Sequence, residues 1–148
     1  MLRLIMIGAI LFTVCSQQTF SQPADADRRK NSLPAFLKGT FEDDYGIQYT
    51  INDTLWIQLP GAKYHIINCD TTEQYLLVQN DKANKTDGGL FTRIDYMNFK
   101  GMEPYRWGFC LTIYNAGTPE KAKATIIADR KNPKTGCSNF PFSRMKRM

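Results

Sequence analysis

The chain has 148 residues, with 19 Lys or Arg against 14 Asp or Glu and one histidine, for a formal net charge of +5. That length gives one domain with room for a core, and a single histidine excludes multi-histidine metal sites. The charge is uneven: residues 120–148 carry eight Lys or Arg against two acids, so the basic balance belongs to the C-terminal end.

Arg3, the apolar run 4–13, and the small residues Thr19 and Ser21 at peptidase spacing read as a signal peptide over 1–21. The run is far shorter than the roughly twenty residues of a membrane-spanning helix, so no transmembrane segment is expected. Cys15 raises a lipoprotein alternative, but Phe12, Thr13 and Val14 precede it where lipidation sites normally carry a small residue. The mature protein is therefore expected to be secreted or periplasmic. Residues 22–33 are charged and poor in large apolar groups, which reads as a flexible lead-in before a single domain over 34–148.

From 36 to 114 the apolar pattern has period two, interrupted by turn residues, as in an antiparallel meander. Strands are expected at 37–42, 46–51, 54–59, 63–69, 73–79, 89–97 and 106–114. Asn52-Asp53, Pro60-Gly61, residues 70–72 and the polar stretch 80–89 serve as the connections. In the last strand Trp107, Phe109, Leu111 and Ile113 share one face, while Cys110 lies on the other. In the strand before it Leu90, Thr92, Ile94 and Tyr96 oppose Phe91, Arg93, Asp95 and Met97. Strands with one apolar face each must close on themselves or pack on a second sheet, so the fold class is all-β, with a small barrel preferred over a sandwich.

Thr118 offers an N-cap and Pro119 an N1 residue for a short helix through 120–128. The tail beyond it, rich in turn residues, has no clear period. Cys69, Cys110 and Cys137 survive maturation, and in an oxidising compartment two should pair. Spacing cannot choose among three pairings. Strand parity favours Cys110 with Cys137, leaving Cys69 a buried thiol, and would pin the tail outside the sheet with Phe140 and Phe142 buried there. Such a loop closure contributes about 3 kcal/mol in the chain-entropy model.

The stretch Gly39-Thr40-Phe41, followed by a Gly-containing turn and a second strand, resembles the opening of calycin barrels, the group of lipocalins, fatty-acid-binding proteins and avidins. Phe41 stands where those families usually carry Trp, and Ile94-Asp95-Tyr96 resembles a second lipocalin motif. The tail segment 135–145 is similar to small exported bacterial proteins. The calycin resemblance implies a barrel whose interior or mouth holds a small hydrophobic ligand, with Tyr49, Trp56, Tyr64, Tyr75, Tyr96 and Trp107 as candidate lining. Small barrels are as readily filled by their own side chains, so core packing is the competing reading of these aromatics.

His65 lies on an expected strand with no nucleophile elbow, which suits a hydrogen-bonded structural imidazole. Glu42, Asp43 and Asp44 read as a solvated turn with a capping carboxylate, because neighbours in a strand face opposite ways. Asn52 and Asn84 begin glycosylation sequons that matter only in a eukaryotic host. Neither cofactor, metal nor catalytic constellation is recognised, so no enzyme activity is expected. Lys131, Lys134, Arg144, Lys146 and Arg147 could meet an anionic surface, but no aromatics interleave them as single-strand binding requires, and no nucleic acid is expected. The two leading functions are an exported carrier of a small hydrophobic molecule and an extracytoplasmic protein-interaction module working through its outer face and basic tail.

Overall fold

The computed structural model describes residues 32–125 and 128–148; the expected signal peptide and most of the expected lead-in lie outside the described residues. Eight strands run in sequence order round a closed antiparallel barrel: β1 (Gly39–Asp43), β2 (Gln48–Ile51), β3 (Leu55–Gln58), β4 (Ala62–Asp70), β5 (Tyr75–Asn80), β6 (Phe91–Asn98), β7 (Tyr105–Ala116) and β8 (Ser143–Arg147). The expected meander accounts for the first seven. The eighth arises in the tail read as irregular, where Met145 alone points inward, fully buried, between Arg144 and Lys146. It pairs with β7 on one side and β1 on the other, matching Phe41 with Arg147 and Asp43 with Met145. An antiparallel ring needs an even number of strands, since seven would leave β7 parallel to β1; β8 is the element that lets the sheet close.

One end of the barrel carries the β1–β2, β3–β4 and β5–β6 connections. At the opposite end a 3-10 turn, Ala35–Leu37, lies across the opening. Its Leu37 is fully buried, and Phe36 meets Tyr96 and Trp107 edge-on at 6.0 and 6.3 Å. Asp53, in the β2–β3 turn, accepts from the Leu33 backbone N–H at 3.0 Å and from Lys38 Nζ at 3.2 Å. Leu33, at the end of the segment expected to be a flexible lead-in, is thereby buried and part of the core.

The interior is a stack of aromatic rings in edge contact: Phe41 on Trp107 at 5.2 Å, Trp107 on Trp56 at 6.0 Å, Trp56 on Phe109 at 5.1 Å and Phe109 on Tyr49 at 5.5 Å. Offset and edge arrangements of this kind add about 0.5 to 1.5 kcal/mol per pair beyond the area they remove from water. Cys69 is free and buried in the same cluster, and burial pushes its thiol pKa up, which keeps it unreactive.

A second core lies outside the barrel. Helix α1 (Pro119–Ala124), capped by Thr118 Oγ1 accepting from Lys121 N at 3.2 Å, lays Ala122 over Tyr75, Leu77 and Ala116. It ends four residues earlier than the pattern suggests, and Ile126 and Ile127 lie outside the described residues. Ile113, expected in the interior with Trp107, instead packs on this outer cluster, because the β6–β7 ladder slips between Phe91 and Ile94 and reverses the faces beyond. The Cys110–Cys137 disulfide, the pairing that strand parity favoured, ties the tail to β7. Phe142 is fully buried, but Phe140 is 70% exposed, contrary to the expectation that both would be covered.

Candidate functional site

The six aromatics expected to line a ligand are divided among three places. Tyr49, Trp56, Tyr96 and Trp107 share the packed interior, each at most 2% exposed. Tyr75 is buried on the outer wall, with the Arg93 guanidinium 4.0 Å above its ring. The stretch Tyr75-Leu76-Leu77-Val78 is apolar on both faces, so alternation could not show which way Tyr75 points. Tyr64 is half-buried against the interior cluster at the end opposite the 3-10 turn.

At that end a cavity of about 600 Å³ opens in the barrel mouth, with Tyr64 and Leu111 in its lining and Tyr114 and Pro60 at its sides. Gln58, Lys85 and Asp87 bring polar groups to the same space. Burial pushes the Tyr64 hydroxyl pKa up, and the negative charge of Asp87 adds to it. Neither Lys85 nor Asp87 forms a salt bridge among the described residues. The mouth therefore combines an apolar wall, a phenol and two opposite, uncommitted charges.

The loop bearing Lys85 and Asp87 is held in place by side chains. Asn80 Nδ2 donates to the carbonyls of Asp87 and Tyr114, both at 2.9 Å, and its Oδ1 accepts from Thr92 Oγ1 at 2.6 Å. Asn84 bonds both the N–H and the carbonyl of Lys63 at 2.9 Å, which engages the amide of that sequon within the fold. His65 meets Asp81 at 2.7 Å on the outer surface, the hydrogen-bonded structural role expected of it. A loop fixed by this many bonds presents its polar groups with little ordering left to complete on binding.

The acidic cluster is tied into the fold rather than solvated. Asp43 is buried and accepts from the N–H groups of Tyr45 and Ile47 and from the Tyr49 hydroxyl, each at 2.9 Å. Burial and this carboxylate together push the Tyr49 phenol pKa up, so it remains a donor. Asp44 and Glu42 pair with Arg144 and Lys146 of β8, both at 2.8 Å. Arg147 donates to the Lys38 carbonyl. Three of the five basic side chains singled out in the tail thus help to close the barrel, while Lys131 and Lys134 stay exposed and make no such contact.

Lys85, Asp87, Gln58 and Tyr114 were not singled out from the sequence, and Leu111 was read only as a core residue. The available signal was positional, since connections at the open end of a rigid barrel are where binding groups collect. No known protein family matches the chain, and neither a characterised protein nor a solved structure shows significant similarity to it.

Proposed function

We propose that this is an extracytoplasmic binding protein that takes a small, mainly apolar, uncharged ligand at the mouth of its barrel. The observation that carries the reading is the cavity of about 600 Å³ at the open end, in the range of about 300 to 1,000 Å³ occupied by small-molecule sites. The interior rings occupy the barrel centre, and Tyr64 and Leu111 pack between them and the cavity. A ligand would set its apolar body on Tyr64 and Leu111 and offer a hydroxyl or carbonyl to Gln58, Lys85 or Asp87. With Lys85 and Asp87 both free, the mouth is close to neutral, which disfavours a strongly charged guest. The Cys110–Cys137 disulfide supports function in an oxidising compartment. Among the described residues no helix is long and apolar enough to cross a membrane.

The test is a fluorescence titration with the neutral probe N-phenyl-1-naphthylamine. Emission should rise saturably, and Thr86→Trp, at an exposed position in the cavity wall, should weaken binding about tenfold or more by filling the space. A probe that fails to bind, or binds T86W as well as the parent, overturns the reading.

A further inference from the structure

We propose a second ligand site on the outer wall, a groove of about 470 Å³ that accepts an amphipathic carboxylate, a single anionic head on an apolar chain. It is separate from the mouth and built from three segments distant in sequence: the β1–β2 turn, the β6–β7 connection and the tail from Pro133 into the start of β8 at Arg144.

Its apolar bed comes from Phe99, Met102, Pro133 and Phe142. Gly108 makes that bed possible. A Cβ there would sit 2.7 Å from the Phe99 ring and 2.9 Å from the Ser143 carbonyl, so glycine is what lets Phe99 and β8 approach β7 this closely. The Phe142 N–H donates to the Pro133 carbonyl at 2.9 Å, which closes the tail into a loop and sets Pro133 beside the buried Phe142 ring. Phe99 and Met102 stay half-buried, and Tyr45 on the rim is 68% exposed. These groups form a built apolar slot rather than a scatter of surface side chains.

The charges around the slot choose the guest. Asp44 is neutralised by Arg144, whose backbone N–H and Nε donate to its two carboxylate oxygens at 3.0 and 2.8 Å. Arg144 is also held 4.8 Å over the Tyr105 ring, so its guanidinium is fixed while its side chain remains 43% exposed. Its terminal nitrogens have no acceptor among the described residues. Lys134, exposed on the same wall, has no ion pair among them either. The lining therefore carries one uncompensated positive charge beside an apolar bed, with guanidinium donors free to bind a carboxylate. A neutral chain gains nothing from Lys134, and a cationic one is repelled. The occupant is thus a free fatty carboxylate of medium length.

The experiment is a titration of the full mature chain, labelled at methionine methyls, with dodecanoate below its micelle concentration. The Met102 methyl should shift saturably, while Met145, fully buried on the far side of the sheet, stays in place and reports an intact fold. Lys134→Glu, at an exposed position, should weaken dodecanoate binding about fivefold to tenfold, as expected for reversing one partly solvated charge contact. Dodecanol should bind more weakly by a similar factor. T86W, which blocks the mouth, should leave the Met102 titration unchanged, so the two sites stand or fall separately. The proposal is overturned if Met102 does not move, if dodecanol binds as well as dodecanoate, if K134E binds like the parent, or if T86W abolishes the shift.

Discussion

The barrel interior and the outer wall of β5–β7 are both dry, yet opposite chemistry keeps them so. Inside, Trp56, Trp107, Phe41 and Phe109 exclude water by area and by edge-on ring contacts. Outside, the buried centre is an ion cluster. Arg93 donates through Nε and one terminal nitrogen to the two oxygens of Asp95 at 3.0 Å, and through the other to the Lys123 carbonyl at 2.7 Å. Thr112 Oγ1 donates to Asp95 as well. Arg130 reaches in from the tail to Asp95 at 2.8 Å and to the carbonyls of Glu73, Gln74 and Tyr96. Arg93 and Asp95 are 4% and 1% exposed, so this wall is a true interior covered by helix α1 and the disulfide-bound tail. An apolar core forms wherever strand alternation puts enough large side chains. The ionic one needs every partner in place, because an unpaired buried charge is far more costly than a missing methylene.

That contrast can be broken most forcefully at its two centres. Asp95→Ala should lower stability by about 3 to 5 kcal/mol, since it leaves Arg93 buried without its carboxylate. Trp56→Ala should cost a similar amount, about 3 to 5 kcal/mol, through cavity formation. The difference shows in rescue: the double change R93M/D95L should recover at least half of the loss in urea unfolding. If it is no more stable than D95A, the outer cluster is not behaving as a desolvated ion pair.

Removing the staple comes next in size. Cys110→Ala with Cys137→Ala should cost about 3 kcal/mol in the chain-entropy description of a loop with a sequence separation of 27. Tryptophan emission should stay at its parent wavelength, because Trp56 and Trp107 sit in the other core. A red-shifted native emission would show that the tail also holds the interior together.

Smaller still is the effect of Tyr96→Phe. The Tyr96 hydroxyl is buried without an oxygen or nitrogen partner, next to the weakly bonding Cys69 thiol, and burial pushes its pKa up. Deleting a buried hydroxyl that makes no good bond, while keeping the ring, should change stability by less than about 1 kcal/mol and in the stabilising direction. A clear loss on denaturant unfolding would reveal a strong interior bond at that oxygen.

The smallest effect belongs to acid. Some burial acts to raise the Asp53 pKa, but the hydrogen bonds from Leu33 and Lys38 outweigh it and hold the carboxyl below its usual value. Its folded pKa thus lies below the unfolded one. The stabilisation it gives is complete above the ordinary carboxylate pKa of about 4 and is lost as pH falls through the folded value. Protection of the Leu33 amide, taken relative to its intrinsic exchange rate at each pH, should therefore fall below about pH 4 in the parent and be weak already at neutral pH in Asp53→Asn. Equal protection in the two proteins at pH 7 would assign the anchoring of the 3-10 turn to Leu37 packing alone.

How far the molecule was legible follows the same division between its two cores. Trp107 and Phe109 alternate with Gly108 and Cys110, so the inner face of β7 and the outward position of Cys110 could be read directly, and with them the disulfide. Tyr75 could not be placed, because both faces of its strand are buried and the alternation that marks a solvent side is missing. β8 was hidden for the opposite reason. It has one inward apolar residue among four polar ones, too few for a period, and it forms because β1 and β7 otherwise present unpaired edges. The mouth residues Lys85 and Asp87 look like any polar loop until Asn80 and Asn84 fasten that loop over Tyr64.

By itself the sequence determined the meander, the faces of most strands and the helix cap at Thr118, and it favoured the Cys110–Cys137 bond, because each depends on neighbours one to four residues apart or on strand parity. Tertiary structure alone decided the closure through Met145, the burial of Arg93 and Asp95 under the tail, and the two cavities. Those depend on which distant segments meet, and no local period records a contact between residues a hundred positions apart such as Asp44 and Arg144.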